Sequence, residues 1–122
     1  MLSTLFNRIP QPILLAVLII LVDIPWLWGS SGWSGQMVRN IQGSAIEFNY
    51  FAALVVYLAL GYLATIPQSY QEAFLIGFST YAVYDFTNLA ILKNYDLKFA
   101  MADTLWGGIL FTIVFGLRKA FF

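Results

Sequence analysis

Four long apolar runs, separated by clusters of Pro, Gly, Ser and charge, occupy residues 10–28, 45–66, 72–92 and 97–117. Each is close to the ~20 residues an α-helix needs to cross the hydrocarbon core of a bilayer. Pro67 and Gln68 mark a tight turn into Gln71 and Glu72, and Lys93 to Lys98 form a short charged hairpin. Links this short join antiparallel neighbours. The pattern therefore predicts an all-α, polytopic membrane protein: four transmembrane helices in an antiparallel bundle, one domain over residues 1–122, with both chain ends on the same side. The stretch from Gly29 to Ser44 is different. Trp33, Met37 and Ile41 recur there at helical spacing opposite Gln36, Arg39 and Asn40, which predicts a short helix lying in the membrane interface, placed like a lid after the first span.

Periodicity within the spans indicates which faces meet. Gly77, Tyr81, Tyr84, Asp85 and Asn88 share one face of the third span by their spacing, and that face is expected to point inward. In the last span Ala100, Thr104, Gly108, Thr112 and Gly116 repeat every fourth residue. Small residues at this interval let two membrane helices approach backbone to backbone. The stripe, with Gly108, Thr112 and Gly116 as its packing positions, serves either packing inside the bundle or self-association.

Composition sharpens the class. Hydrophobic residues make up 61% of the chain and charged residues 10%, against roughly 25% charged in a soluble domain. Cysteine and histidine are both absent, which excludes disulfides, thiol redox chemistry, the usual zinc sites and histidine-ligated haem. A cofactor, if present, is a hard cation held by oxygen, a pigment or a lipid. A net charge of zero gives no reason to expect nucleic acid. The first apolar run follows Arg8, but Asp23 and Pro25 interrupt it and no Ala-x-Ala site follows, so it reads as a span and not as a cleaved signal peptide. Arg8, Arg118 and Lys119 on one side balance Arg39, Lys93 and Lys98 on the other, so the positive-inside rule assigns no orientation.

The candidate chemistry is acidic. Asp23, Asp85 and Asp103 each interrupt a different apolar span, although a carboxylate at the bilayer centre costs ~2.5–3.5 kcal/mol. At ~1.5 Å rise per residue, Asp23 lies ~8 Å before the end of its helix, Asp85 ~10 Å before Leu92 and Asp103 ~9 Å after Leu97, all towards one membrane face. A polar pocket lined by Asp23, Asp85, Asn88 and Asp103, with Glu47 at its mouth, is expected. Crowded carboxylates in a low dielectric cannot all stay ionised without a cation, so the pocket reads as a proton or cation site. The plainer alternative is that protonated aspartates bond Tyr81, Tyr84, Asn88 and indole N–H groups across helices as packing. No nucleophile and base pair, phosphate loop or metalloprotease helix is present to point to an enzyme.

Asp-x-x-Trp occurs twice, as Asp23-Ile24-Pro25-Trp26 and Asp103-Thr104-Leu105-Trp106. At this spacing Trp26 and Trp106 can each lie over the aspartate of their own helix, shielding it and offering a donor. Trp26, Trp28 and Trp33 also suit the interfacial aromatic belt. Together with Tyr84-Asp85-Phe86-Thr87-Asn88-Leu89-Ala90 and the Gly107 that follows Trp106, these runs resemble the domain-of-unknown-function 2177 family of predicted small membrane proteins. The likeness covers most of the chain and implies a four-helix membrane fold with no established activity. Two functions are expected, the first from the polar cluster and the second from a small, multi-span chain with 18% aromatic residues. One is proton- or cation-coupled transport of a small substrate by a homo-oligomer; the other is an accessory subunit of a larger respiratory or photosynthetic membrane complex.

Overall fold

The computed structural model describes residues 9–122, so Arg8 of the charge comparison lies outside the described residues. Five helices follow in order: α1 (Gln11–Gly29), α2 (Ser31–Gln42), α3 (Tyr50–Leu63), α4 (Tyr70–Ile91) and α5 (Leu97–Phe121). Two of them, α1 and α5, are long and apolar enough to cross a membrane by length and composition. The second expected span is shorter than its apolar run: α3 has 14 residues in place of 45–66, about 21 Å of rise. Its ends are set locally. Asn49 caps the first turn by accepting from the Ala52 N–H at 3.0 Å, and the chain turns after Ala64 ahead of Pro67. The third expected span, α4, is long enough at 22 residues, but its Gln71, Glu72, Asp85 and Asn88 lower its apolar character.

The short links behave as their residues dictate. Ser69 caps α4 by accepting from the Glu72 N–H at 3.1 Å, while the Glu72 carboxylate accepts from the Gln68 N–H at 2.8 Å. This is a capping box displaced by one residue. In the hairpin Asn94 takes the left-handed conformation, φ 69°, and Asp96 caps α5 through the Lys98 N–H at 2.8 Å. The predicted short helix is α2; Gly43, φ 79°, ends it in the left-handed turn that a glycine accepts without a side-chain clash. In α1, Pro12 lies in the first turn, and the helix continues through Pro25 to Gly29.

Packing is uneven. α4 and α5 form the most extensive contact, with Gly77 against the Gly107 carbonyl and Phe111, and with Tyr81 on Gly107, Phe74 on Gly108 and Tyr70 on Gly116. The small-residue stripe of α5 is therefore taken up inside the chain. Gly108 and Gly116 face α4, and the Thr112 hydroxyl donates back to the Gly108 carbonyl at 2.7 Å. A second close pair is α1 with α3, where Gly61 meets the Pro12 carbonyl and Ala16, and Tyr57, one turn earlier, reaches Asp23. In each pair residue numbers rise along one helix as they fall along the other. α1 also packs on α5, whereas α3 and α4 hardly touch.

The apolar core lies towards the chain ends. Leu15 and Ile19 of α1, Leu60 of α3, Ala73 of α4 and Phe111 and Val114 of α5 are buried together there. Arg118 closes that end, donating to the Ala64 carbonyl at 2.8 Å and to the Pro67 carbonyl, with its guanidinium 4.9 Å from the Phe115 ring centroid. On the outside, Met101, Leu105, Ile109 and Ile113 of α5 form an exposed apolar ridge, and Val17, Leu21 and Ile24 do the same on α1. Soluble surfaces rarely carry such continuous apolar area.

A Cβ at Gly77 would fall on the Gly107 carbonyl and within 2.7 Å of Phe111 Cβ, whereas one at Gly35 meets open space. Gly77→Ala is expected to destabilise the fold by about 1–3 kcal/mol, and Gly35→Ala to be neutral or to stabilise it by up to ~1 kcal/mol through helix propensity. Reversible unfolding in mixed micelles checks both; a Gly77→Ala protein as stable as the parent contradicts the close α4–α5 approach.

Candidate functional site

The three aspartates are buried, at 3% (Asp23), 0% (Asp85) and 8% (Asp103) exposure, and they are neighbours. Buried carboxyls need hydrogen-bond donors, and here the donors are indoles and phenols. Asp23 accepts from Trp106 Nε1 at 2.7 Å and from the Tyr57 hydroxyl at 2.7 Å. Asp103 accepts from Trp26 Nε1 at 2.9 Å, and Asp85 from the Tyr95 hydroxyl at 2.7 Å.

This arrangement corrects the expectation that each tryptophan covers the aspartate of its own helix. The two Asp-x-x-Trp motifs exchange partners: Trp106 serves Asp23, and Trp26 serves Asp103. The opposed directions of α1 and α5 explain it. Equal spacing on two helices that run past each other brings each aspartate level with the other helix's tryptophan, so the indole N–H can point straight across the interface. The two indoles stack with centroids 6.0 Å apart and planes 21° apart. Trp26 therefore turns its indole into the cluster. Trp33, 40% exposed, donates from Nε1 to Asp96 at 2.8 Å, and Trp28, 82% exposed, keeps the outward position expected of a belt.

Asp85 and Asp103 lie side by side on α4 and α5, within hydrogen-bonding reach of each other. Only one Asp85 oxygen has a donor. Oδ2 is buried with no partner among the described residues, as is the Thr104 hydroxyl. Asn88 lies beside the Tyr84 and Tyr95 hydroxyls, and Tyr81 lies among all three aspartates.

The cluster opens on a cavity of about 670 Å³ whose walls include Asp23, Asp103, Tyr81, Tyr84, Asn88 and, towards the outside, Glu47. Its walls come from all five helices, with Met37, Val38 and Ile41 contributed by α2 and Phe99 and Asp103 by α5. It faces the opening where α3 and α4 hardly touch. Tyr84, expected to point inward, is 63% exposed because the short α3 does not cover that side of α4. Among the described residues no three acidic side chains are grouped so as to hold a metal ion.

Sequence reasoning missed Tyr57 and Tyr95. A hydroxyl in an otherwise apolar run such as α3 needs a partner, and that was a usable signal for Tyr57. Tyr95 lies in the hairpin, ten residues from Asp85, where no helical periodicity connects them. α2 is held by a latch: besides the Trp33 to Asp96 bond, Asn94 donates to the Asn40 carbonyl at 2.9 Å, and Met37 is buried beneath.

The sequence matches the domain-of-unknown-function 2177 family, described as predicted membrane protein, over residues 12–118. The chain belongs to that family. No curated protein matches it, and no solved structure does. For this member of the family, the match covers both Asp-x-x-Trp motifs and Asp85.

Trp106→Phe and Tyr57→Phe each remove one donor from Asp23. Each is expected to cost about 0.6–2 kcal/mol, and the double variant to depart from additivity because the two share one acceptor; unfolding in micelles measures this. The Trp33 indole, followed by the Lys98 backbone N–H, holds the Asp96 carboxyl below its ordinary value of 3.8. The stability this gives the latch is present above that value and is lost as pH falls below it. Spin-label distances between α2 and the hairpin are expected to lengthen on that acidification, and to lose this pH dependence in Asp96→Asn.

Proposed function

We propose that this chain is a multi-pass integral membrane protein in which α1, α3, α4 and α5 cross the bilayer as an antiparallel bundle, and that it couples proton exchange at Asp85 and Asp103 to movement of a small substrate through the cavity. The outward apolar ridges and the family's description support the membrane placement. One observation carries the coupling: a fully buried Asp85 whose second oxygen has no donor among the described residues other than the Asp103 carboxyl it is set against, at the edge of a cavity. Two carboxyls so placed share a proton, or release it when a cation takes its place.

The packing supplies moving parts. α1 with α3 and α4 with α5 are two close pairs, joined through the α1–α5 contact. That joint contains the exchanged indole bonds to Asp23 and Asp103. An indole N–H bonds a carboxylate more strongly than a neutral acid, so protonation loosens the joint, and rocking of one pair against the other opens the cavity alternately.

Proteoliposomes with an imposed pH gradient and a luminal pH dye test this against a panel of small solutes. A solute is expected to collapse the gradient through the parent protein, and Asp85→Asn and Asp103→Asn to return the rate to that of protein-free vesicles. Unchanged flux in both variants overturns the reading. Co-purification as a stoichiometric part of a large complex in mild detergent would favour the accessory-subunit alternative.

A further inference from the structure

The cavity's walls are selective in charge. Asp23, Glu47 and Asp103 line it, and among the described residues no lysine or arginine does. The groups that hold its aspartates are neutral indoles and phenols, so the carboxyls have hydrogen bonds without a counter-charge. Its remaining surface is largely apolar and aromatic, with Val56 and Leu60 on the α3 side and Phe99 beneath. A volume of about 670 Å³ falls in the range that holds drug-sized ligands.

Access is from the side. α3 and α4 hardly touch, and α3, at 14 residues, is the shortest of the four proposed spanning helices. A ligand that partitions into the bilayer would meet apolar side chains first and the carboxyls last.

From this charge complementarity we infer that the cavity binds an amphipathic organic cation, a protonated amine or quaternary onium with an apolar body, which enters between α3 and α4 and places its charge at Asp103 with displacement of the proton shared with Asp85. The inference rests on the transport reading for its purpose but not for its test. Anionic lipid headgroups and other acids are excluded from the same space by like charge, and neutral solutes gain nothing from the carboxyls. Asp85 lies behind this wall: it is fully buried, Tyr95 is its only hydroxyl donor among the described residues, and it abuts the Asp103 carboxyl that faces the cavity.

Tetraphenylphosphonium and tetraphenylborate have nearly the same shape and opposite charge, and equilibrium dialysis against the detergent-solubilised full chain compares them. The phosphonium is expected to bind at least about tenfold more tightly than the borate, a difference of ~1.4 kcal/mol. Its affinity should rise up to about tenfold per pH unit where one proton is displaced per cation. Asp103→Asn, which keeps an acceptor for Trp26, should abolish the preference. Glu47→Gln, at the exposed mouth, should weaken it without affecting the fold. Widening α3 with Val56→Trp should slow entry from vesicles. Equal binding of the two ions, or an undiminished preference in both Asp103→Asn and Glu47→Gln, overturns the inference. Phosphonium binding without collapse of a pH gradient preserves it and removes the transport reading. Gradient collapse by other solutes without phosphonium binding does the reverse.

Discussion

An acidic group among packed apolar helices must be given donors, and every donor that fills this need here is neutral. That constraint organises one half of the molecule. Three carboxyls require hydrogen bonds, Trp26, Trp106, Tyr57 and Tyr95 provide them, and all but the Tyr95 bond tie together two segments far apart in sequence. The apolar core towards the chain ends has no comparable demand and closes by side-chain packing. The protein thus has a dry half and a polar half, with the cavity in the second.

Much of the fold was legible in the pattern of residues. The turn at Pro67, the hairpin at Lys93 and the short helix after the first span all follow from local chemistry, and the structure has them where the sequence implied. The length of α3 was less legible. Hydropathy counts Ala45 to Asn49 and Thr65 to Ile66 with the run, but Asn49 prefers to cap a helix, and Pro67 restricts the residue before it.

The site was legible in outline. Equal depth selected Asp23, Asp85 and Asp103 before any contact was known, and they are neighbours. Which tryptophan serves which aspartate was not readable, because spacing along one helix says nothing about the helix opposite. The exchange depends on how α1 passes α5. The lateral opening was equally hidden: it arises from a contact between α3 and α4 that is scarcely made, and no residue type announces a missing contact.

Pro25 lies between Asp23 and Trp26 on α1. Having no amide hydrogen, it leaves the Leu21 carbonyl without its intrahelical donor, so the last turn of α1 is hinged more softly than the turns before it. That turn holds Trp26 and leads directly into α2. The softest turn of α1 is thus the one that carries the indole bonded to Asp103.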